Sequence, residues 1–314
     1  MKKYTILVSG ASGIVGYGIL KTLKKLKCNL IGTTIYDVSP ANCFADHVEI
    51  APLSTDKKYI PWLINILKQY EVDMAIPGIE IDMSIWNSYR DVLSETGTFI
   101  LLNDSNLIKT CLDKWEFYKK MKGEESPYII ESTLEPDFNR FSIPFILKPR
   151  CGFGSRGLVV VQNVYDFEKQ KAYIGERLFL QEYVGNSNEE YTVSAFFDND
   201  SNLKAHISLR RKLSKMGYTE MAEVVYLEDM VQVLKELAVI FKPIGPTNFQ
   251  FRKQNKKWKL LEINPRISSS TSIKEAFNYN EAKMSIEYFL EQKEIFQPEI
   301  KEGRAIRYIE DFII

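Results

Sequence analysis

Strand-like and helix-like segments alternate through the first hundred residues, and this alternation constrains the fold more than any other feature of the chain. A β-branched, apolar strand at 4–9 runs into a glycine turn at 10–16, and a helical pattern follows as far as Leu26. The alternation then continues, with strands near 29–35, 47–51, 72–76 and 98–102 and helices near 57–70 and 82–95. This order predicts an α/β unit built on a doubly wound parallel sheet.

The pattern changes after a cap-like cluster at 103–105. A helix is expected up to Met121, and from residue 128 onward short strands predominate, near 144–148, 157–161, 178–183, 190–197, 203–210, 246–252 and 257–263. Further helices are expected only near 164–174, 229–241 and 271–290. Runs of strands with few helices predict an α+β half with antiparallel sheets. We therefore predict three units, at 1–103, 104–180 and 181–314.

Composition and charge exclude several classes of protein. Lys plus Arg equals Asp plus Glu at 41 each, so no overall field attracts the chain to nucleic acid or to an anionic membrane. No segment approaches the ~20 apolar residues of a membrane span, and the first residues do not resemble a signal peptide. Four scattered cysteines and two histidines predict neither disulfides, a zinc ribbon nor a histidine-based triad, which favours a reducing cytoplasm.

A glycine-rich loop follows the predicted strand that ends near Lys148. Within 150–157 the chain carries two arginines and three glycines, Arg150, Arg156, Gly152, Gly154 and Gly157. Glycines free the backbone to fold closely around a phosphate, and the cations would neutralise it. From these residues alone, a glycine hairpin with solvated arginines is an almost equal alternative. The Walker pattern is absent, so this is not a P-loop protein.

Oxygen-bearing side chains recur on two later strands. Gln250 lies in one strand, and the next strand ends in Glu262 and Asn264, which are two residues apart and so point to the same face. Such a face suits Mg²⁺, which takes one or two carboxylates and completes its shell with water and phosphate oxygens. Arg266 follows where it could meet a transferred phosphoryl group. The alternative, a polar sheet edge closed by a turn at Pro265, is weakened by the apolar run before Glu262.

A third segment lies between these two motifs. Extended backbone at 180–185 with a glycine break could present N–H and C=O groups to a purine, and an acidic residue at 189–190 could accept from ribose hydroxyls. Outside this context, a polar hairpin would be the better interpretation.

Taken in order, these segments resemble the ATP-grasp superfamily, in its carbamoyl-phosphate-synthetase-like branch. The resemblance extends over essentially the whole chain, through the pre-domain and the motifs at 113–114, 145–149, 181–184, 190–193, 248–250 and 261–266. The last motif, with a glutamine twelve residues before its glutamate, is the most specific. The resemblance implies an α/β pre-ATP-grasp domain at 1–103, a small lobe with the phosphate loop at 104–180 and a C-terminal lobe with the metal site at 181–314.

The resemblance also implies a role for each motif residue. ATP phosphates would be held by Lys114, Lys148, Gly152, Gly154, Ser155 and Gly157. The adenine would contact Glu182, Tyr183 and Val184, and the ribose Glu190. Mg²⁺, with Mn²⁺ as an alternative ion, would be bound by Gln250, Glu262 and Asn264. Catalysis would depend on Arg266, Lys148 and Arg156, with Arg266 stabilising the transferred phosphoryl group.

Enzymes that this chain resembles activate a carboxylate as an acyl phosphate and let an amine, or less often a thiol, displace the phosphate. The expected substrates are a small-molecule carboxylate and an amine, without nucleic acid or membrane partners, and a homodimer is compatible with the resemblance. The substrates themselves are not predicted. Arg210, Arg211, the segment 76–80 and the glycine turn at 10–16 are open as contacts to them.

Two other functions compete with this one. The spacing Gly10-x-x-Gly13-x-x-Gly16, with Asp37 after the second strand, imitates a dinucleotide fingerprint and would suit an NAD-dependent oxidoreductase. Its first spacing is longer than the usual G-x-G. The third possibility is a non-catalytic nucleotide-binding module, which the filled phosphate, metal and arginine positions disfavour.

Overall fold

A computed structural model describes residues 3–152, 157–186, 189–214 and 217–313 of the chain. The first hundred residues form a five-stranded parallel sheet in the order β3-β2-β1-β4-β5. Its strands are β1 (Thr5–Val8), β2 (Asn29–Thr34), β3 (His47–Ile50), β4 (Met74–Ile76) and β5 (Phe99–Ile100). Between them lie α1 (Ile14–Leu23), α2 (Ala41–Phe44), α3 (Tyr59–Gln69), α4 (Glu80–Ser88) and α5 (Arg90–Ser94).

Both faces of this sheet are covered by apolar side chains. Ile6 and Val8 of β1 belong to the cluster that includes α1, whereas Leu7 packs with α3 on the opposite face. Successive strand residues point to opposite faces, so a continuous apolar run produces a strand buried on both sides. The strand order reverses between β1 and β4, which makes their carboxyl ends the expected binding edge.

A four-stranded antiparallel sheet follows, in the order β6-β9-β7-β8. It consists of β6 (Ser132–Thr133), β7 (Phe145–Pro149), β8 (Val159–Val161) and β9 (Leu178–Glu182). The helices of this region are α6 (Ser105–Leu112), α7 (Lys114–Gly123) and α8 (Val164–Glu168), the last followed by a 3₁₀ turn at Lys171–Tyr173. The prediction of one helix up to Met121 is wrong, because Asp113 is extended and caps α7 by accepting from the N–H of Trp115.

The remaining strands form a six-stranded antiparallel sheet in the order β14-β13-β10-β11-β12-β15. They are β10 (Glu190–Phe197), β11 (Leu203–Leu213), β12 (Thr219–Val224), β13 (Gly245–Gln254), β14 (Lys257–Asn264) and β15 (Arg304–Ile306). Helix α9 (Met230–Phe241) packs on one face, and α10 (Thr271–Ala276) and α11 (Glu281–Ser285) pack on the other. None of the described helices is long and apolar enough to cross a membrane.

Two local predictions in this half need correction. No strand is expected at Thr219–Val224, yet this segment forms β12, because it pairs with both β11 and β15. The helix expected at 271–290 breaks at Asn278, whose φ of +69° is left-handed, and resumes in α11 and a π-helical turn at Ile286–Leu290. Strand β9 (Leu178–Glu182) extends across the predicted boundary between the second and third units, at residues 180 and 181, and belongs to the four-stranded sheet. The boundaries of the three units stay a prediction.

Candidate active site

Lys148 lies on β7 at the mouth of a cleft between the two antiparallel sheets. Its side chain is buried, and Nζ donates to the carbonyl of Leu261 at 3.1 Å and, at the limit of a hydrogen bond, to Gln181 Oε1 at 3.5 Å. It forms no ion pair with a carboxylate of the described residues. Burial lowers the pKa of Lys148 to about 8, and the negative charge of Glu262 offsets this only in part. A buried ammonium without a paired carboxylate is prepared for an anionic ligand.

The start of α7 is attached to the end of β7. The N–H of Lys114 donates to the carbonyl of Arg150 at 2.8 Å, and its Nζ donates to the carbonyl of Gly152 at 2.5 Å. Arg150 also pairs with Asp113 at 2.6 Å. Lys114 and Lys148 therefore approach the same end of the cleft, beside the first glycine of the loop. Gly154, Ser155 and Arg156, predicted at this loop, lie outside the described residues.

The cleft itself is mostly apolar. It encloses about 280 Å³ of empty space, part of it open to solvent, and is lined by Lys114, Phe117, Tyr118, Met121, Ile129, Ile130, Lys148, Phe179, Gln181, Leu260 and Leu261. Apolar walls with two lysines at one end suit a flat ring system that carries phosphates. Gln181 was assigned no role from its sequence context, yet its amide oxygen accepts from Lys148 and its amide nitrogen donates to Ser132 Oγ at 3.1 Å.

The residues predicted near the adenine and ribose extend from the end of β9 to the start of β10. The N–H of Glu182 donates to the carbonyl of Glu131 at 2.9 Å, and Glu182 Oε1 accepts from Gln254 at 3.0 Å. Val184 is buried, and the Tyr183 ring lies 5.8 Å from the Arg252 guanidinium. Their contact to a nucleotide stays a prediction.

Glu190 occupies a different environment from the exposed carboxylate that a ribose contact would need. It is 4% exposed, and its two oxygens pair with Arg211 at 2.7 Å and Arg252 at 3.0 Å. A ribose hydroxyl would have to share these oxygens with two guanidinium groups. Sequence reasoning missed Arg252, although it lies two residues after Gln250 on β13 and so on the same face.

The three predicted metal ligands lie on neighbouring strands, with Gln250 in the middle of β13 and Glu262 and Asn264 at the end of β14. Gln250 pairs with Glu262 in the sheet register, and Asn264 Nδ2 donates to Glu262 Oε1 at 3.2 Å. Burial raises the pKa of Glu262, but the charges of Lys148 and Lys114 outweigh this, so the pKa is lowered and the group is ionised at neutral pH. Glu262 has no ion-pair partner within 4.0 Å among the described residues. One ionised, unpaired carboxylate with adjacent amides fits Mg²⁺.

The amide oxygens of this set are already engaged. Gln250 Oε1 accepts from Arg211 at 2.6 Å, and Asn264 Oδ1 accepts from Arg266 at 3.1 Å. A metal ion that used them would have to displace these arginines. The described residues contain no cluster of three His, Cys, Asp or Glu side chains that could hold a metal ion.

Arg266 joins the C-terminal sheet to the parallel sheet. Its Nη2 pairs with Glu80 at 2.6 Å, at the first turn of α4, and its Nη1 donates to the carbonyl of Ile267 at 3.1 Å. Beside it lies a second cleft of about 230 Å³, lined by Ile76, Pro77, Leu101, Leu102, Asn103, Pro246, Pro265, Arg266 and Ile267. The segment 76–80, left open as a substrate contact, is therefore brought to Arg266 at the carboxyl end of β4.

The two arginines of β11 point in opposite directions. Arg211 is buried against Glu190 and Gln250, whereas Arg210 is exposed and pairs with Glu223 at 2.5 Å. Adjacent strand residues alternate between faces, so only Arg211 lies on the side of the candidate metal ligands.

The glycine turn at 10–16 is tightly packed. Gly10 has a φ of +55°, and a Cβ atom there would lie 2.6 Å from Cγ2 of Ile79. A Cβ atom on Gly16 would lie 2.4 Å from the carbonyl oxygen of Gly10. These close approaches require glycine without any ligand, and the Ile79 side chain covers the turn.

Comparison with known proteins finds one matching family model in each half of the chain. Residues 175–312 match the family "ATP-grasp in the biosynthetic pathway with Ter operon", and residues 7–101 match "PylC-like, N-terminal domain". The carbamoyl phosphate synthase large chain of Methanothrix thermoacetophila is 23% identical over 281 residues, covering 80% of this chain and 25% of that protein. The chain thus spans about a quarter of the length of this curated relative.

Solved structures share the fold. N5-carboxyaminoimidazole synthetase from Staphylococcus aureus, complexed with ADP, has a TM-score of 0.75 at 18% identity over 95% of this chain and 81% of that chain. The biotin carboxylase domain dimer of Hydrogenobacter thermophilus 2-oxoglutarate carboxylase, with MgADP, ADP and bicarbonate, gives 0.73 at 14% over 97% and 74%. L-amino acid ligase from Bacillus licheniformis gives 0.69 at 13% over 92% and 74%. The predicted fold class, a parallel pre-domain followed by a two-lobed fold with antiparallel sheets, is confirmed.

Proposed function

Because the chain belongs to the ATP-grasp superfamily, we propose that it is a Mg²⁺- and ATP-dependent ligase. It activates a small-molecule carboxylate as an acyl phosphate and couples it to an amine, or less often to a thiol. Its two substrates are small molecules, and their identity is the finer part of the proposal.

The observation that carries this proposal is that two opposite charges, on Lys148 and Glu262, affect each other's pKa without forming an ion pair. Lys148 is a buried cation without a carboxylate partner, and it contacts the carbonyl of Leu261, the residue before the ionised Glu262. Phosphate oxygens would neutralise the charge of Lys148, and a divalent cation would neutralise the charge of Glu262. Transfer between two anions needs this neutralisation rather than a covalent nucleophile.

The chain's own residues have distinct tasks in such a reaction. Lys114 and Lys148 bind the nucleotide phosphates, and Glu262 with Asn264 would hold Mg²⁺, which supplies charge neutralisation when bound. A carboxylate oxygen of the substrate bonds to the γ-phosphorus while the bond from that phosphorus to the leaving ADP oxygen breaks. Arg266 stabilises the charge on the transferred group. The amine nitrogen then bonds to the acyl carbon, inorganic phosphate leaves, and the amine proton passes to solvent.

The ligands present in the similar structures support the nucleotide and the metal. One was solved with ADP and another with MgADP and bicarbonate, and a third is called an amino acid ligase. The NAD-dependent alternative is disfavoured because the first glycine spacing is longer than the usual G-x-G, and close packing at Gly10 and Gly16 accounts for these glycines without a ligand. The non-catalytic alternative is disfavoured because Lys148, Glu262 and Arg266 are all present.

The proposal predicts phosphate release from ATP that depends on an acid and an amine together. We expect Mg·ATP to bind the folded protein in calorimetry, and a panel of carboxylic acids paired with amines, amino acids included, to contain at least one pair that accelerates phosphate release. NADH, titrated by fluorescence, should not bind. Failure of Mg·ATP to bind, or binding of NADH in its place, would contradict the proposal.

The lowered pKa of Lys148 predicts how ATP affinity depends on pH. With a pKa of about 8 in the free protein, the ammonium form is lost as pH rises. The affinity should therefore fall between about pH 7 and 9, by at most about tenfold per pH unit. Lys148→Arg stays charged over this range, so its affinity should change much less. Equal pH dependence in both proteins, measured by calorimetry, would show that Lys148 does not bind the nucleotide.

A further inference from the structure

Arg307 follows the edge strand β15 and carries a guanidinium group without an acidic partner. Its N–H donates to the carbonyl of Glu220 at 2.9 Å, which fixes the residue beside β12. Nη2 donates to the carbonyl of Ser269, whereas Nη1 is buried and has no hydrogen-bond partner among the described residues. No Asp or Glu of the described residues forms an ion pair with Arg307, and its pKa is affected by no carboxylate among them.

The other partly buried arginines of the described residues have carboxylates as partners or nearby. Four of them pair with a carboxylate, namely Arg150 with Asp113, Arg211 and Arg252 with Glu190, and Arg266 with Glu80. Arg90 donates to Asn87 and to the carbonyl of Asn103 and is supported by the charge of Asp104. Burial lowers the pKa of Arg307, and only the phenols of Tyr17 and Tyr218 oppose this. Among the partly buried arginines of the described residues, Arg307 is thus the one whose positive charge is not offset by a nearby carboxylate.

Arg307 lies where three parts of the fold meet. Ser269 belongs to the segment 265–270 that carries Arg266, Tyr17 lies in α1 of the parallel domain, and Tyr218 precedes β12. Two hydroxyls in the adjoining elements, Thr219 Oγ1 in β12 and Thr271 Oγ1 in α10, are also buried without a partner among the described residues. Buried polar groups without a partner are costly unless a ligand completes their hydrogen bonds.

We propose that Arg307 binds a second anionic group, a carboxylate or a phosphate, of one of the two substrates. The link to the reaction rests on the proposed function, in which Lys148 and Arg266 serve the phosphates and the carboxylate that reacts. A guanidinium binds carboxylate and phosphate oxygens through parallel N–H bonds, and Nη1 of Arg307 is free to donate one. The substrate class is therefore a molecule with a second anion, such as an amino acid coupled through its amine or a phosphomonoester.

The test uses three probes of the anion. Binding of Mg·AMP-PNP is measured first by calorimetry, and succinate, L-alanine and glycerol 3-phosphate are then titrated into the complex. At least one should bind the natural protein, and Arg307→Met should weaken that binding by about 30-fold or more, as for a charge pair that loses one partner. Binding of succinate or L-alanine indicates a carboxylate, and binding of glycerol 3-phosphate alone indicates a phosphate. AMP-PNP should bind both proteins equally.

Arg304 provides a matched control. It lies three residues earlier in β15, but its side chain is exposed and pairs with Glu223, so Arg304→Met should bind the anion normally. Arg307→Lys should recover only part of the affinity, and a thermal melt of each variant reports whether the fold is intact. If AMP-PNP does not bind, the proposed function fails, but the inference about Arg307 can still be tested. Arg307→Met should then show the same loss of anion binding in the absence of nucleotide. The inference is wrong if no probe binds the natural protein or if folded Arg307→Met binds it equally.

Discussion

Replacing Arg266 with alanine is expected to lower kcat by about 10²–10³ while ATP affinity changes much less. A guanidinium aimed at a transferred phosphoryl group stabilises charge that develops in the transition state more than charge in bound ATP. Arg266→Lys should recover only part of the loss, because an ammonium cannot reproduce the planar, two-point contact. Single-turnover phosphate release, with ATP affinity measured separately, tests both variants.

The Glu80 ion pair provides the control for this experiment. Arg266→Ala leaves Glu80 without its cation, and repulsion from that carboxylate could itself slow the reaction. The double variant Arg266→Ala/Glu80→Gln removes this repulsion and should remain as slow as Arg266→Ala. If the double variant regains normal turnover, or if Arg266→Ala melts at a lower temperature but is fully active, Arg266 does not act on the phosphoryl group.

Glu262→Gln is expected to abolish most activity while the fold survives. The change keeps the shape of the side chain but removes the only carboxylate of the candidate metal site. Since changes to groups that merely support a metal ligand cost about 10–100-fold, loss of this charge should cost about 10² or more at ordinary Mg²⁺ concentrations. Phosphate release as a function of Mg²⁺ concentration measures the effect, and high Mg²⁺ or Mn²⁺ should restore part of it.

Glu294→Gln is a suitable comparison, because Glu294 is an exposed glutamate that pairs with Lys204 away from the cleft. This variant should keep normal activity and the normal Mg²⁺ dependence. Near-normal turnover of Glu262→Gln at ordinary Mg²⁺ would place the metal elsewhere in the protein.

The parallel domain could be predicted from sequence because its signal is local. Each strand of the sheet is a short apolar run next to a helix with 3.6-residue periodicity, and the order of elements determines the topology. Edge strand β15 carried no such signal, since Arg304–Ile306 is short and partly polar, and its pairing with β12 depends on the tertiary fold. The helix break at Asn278 was missed for a similar reason: this residue interrupts an otherwise helical pattern through a left-handed backbone conformation that composition does not report.

The candidate site could likewise be predicted only where its residues are close in sequence. Glu262 and Asn264 could be assigned to one face because they are two residues apart on one strand. The pairing of Arg266 with Glu80 joins residues 186 positions apart, so no sequence spacing reports it. The arginines that occupy Gln250 and Asn264 were missed because hydrogen-bond partners depend on tertiary contacts. Arg307 also could not be identified from the sequence, because its proposed role rests on the lack of an acidic neighbour among the described residues of the folded chain.

The most direct test of the central claim follows oxygen atoms from the acid to phosphate. The reaction is run with Mg·ATP, an amine and a carboxylic acid labelled with ¹⁸O in its carboxyl group, once the panel has identified an active pair. Attack of the carboxylate on the γ-phosphorus predicts that each phosphate released carries one oxygen from the labelled acid, in step with product formation, and that ADP is the other product. Phosphate without the label, or release of AMP and pyrophosphate, would contradict activation through an acyl phosphate.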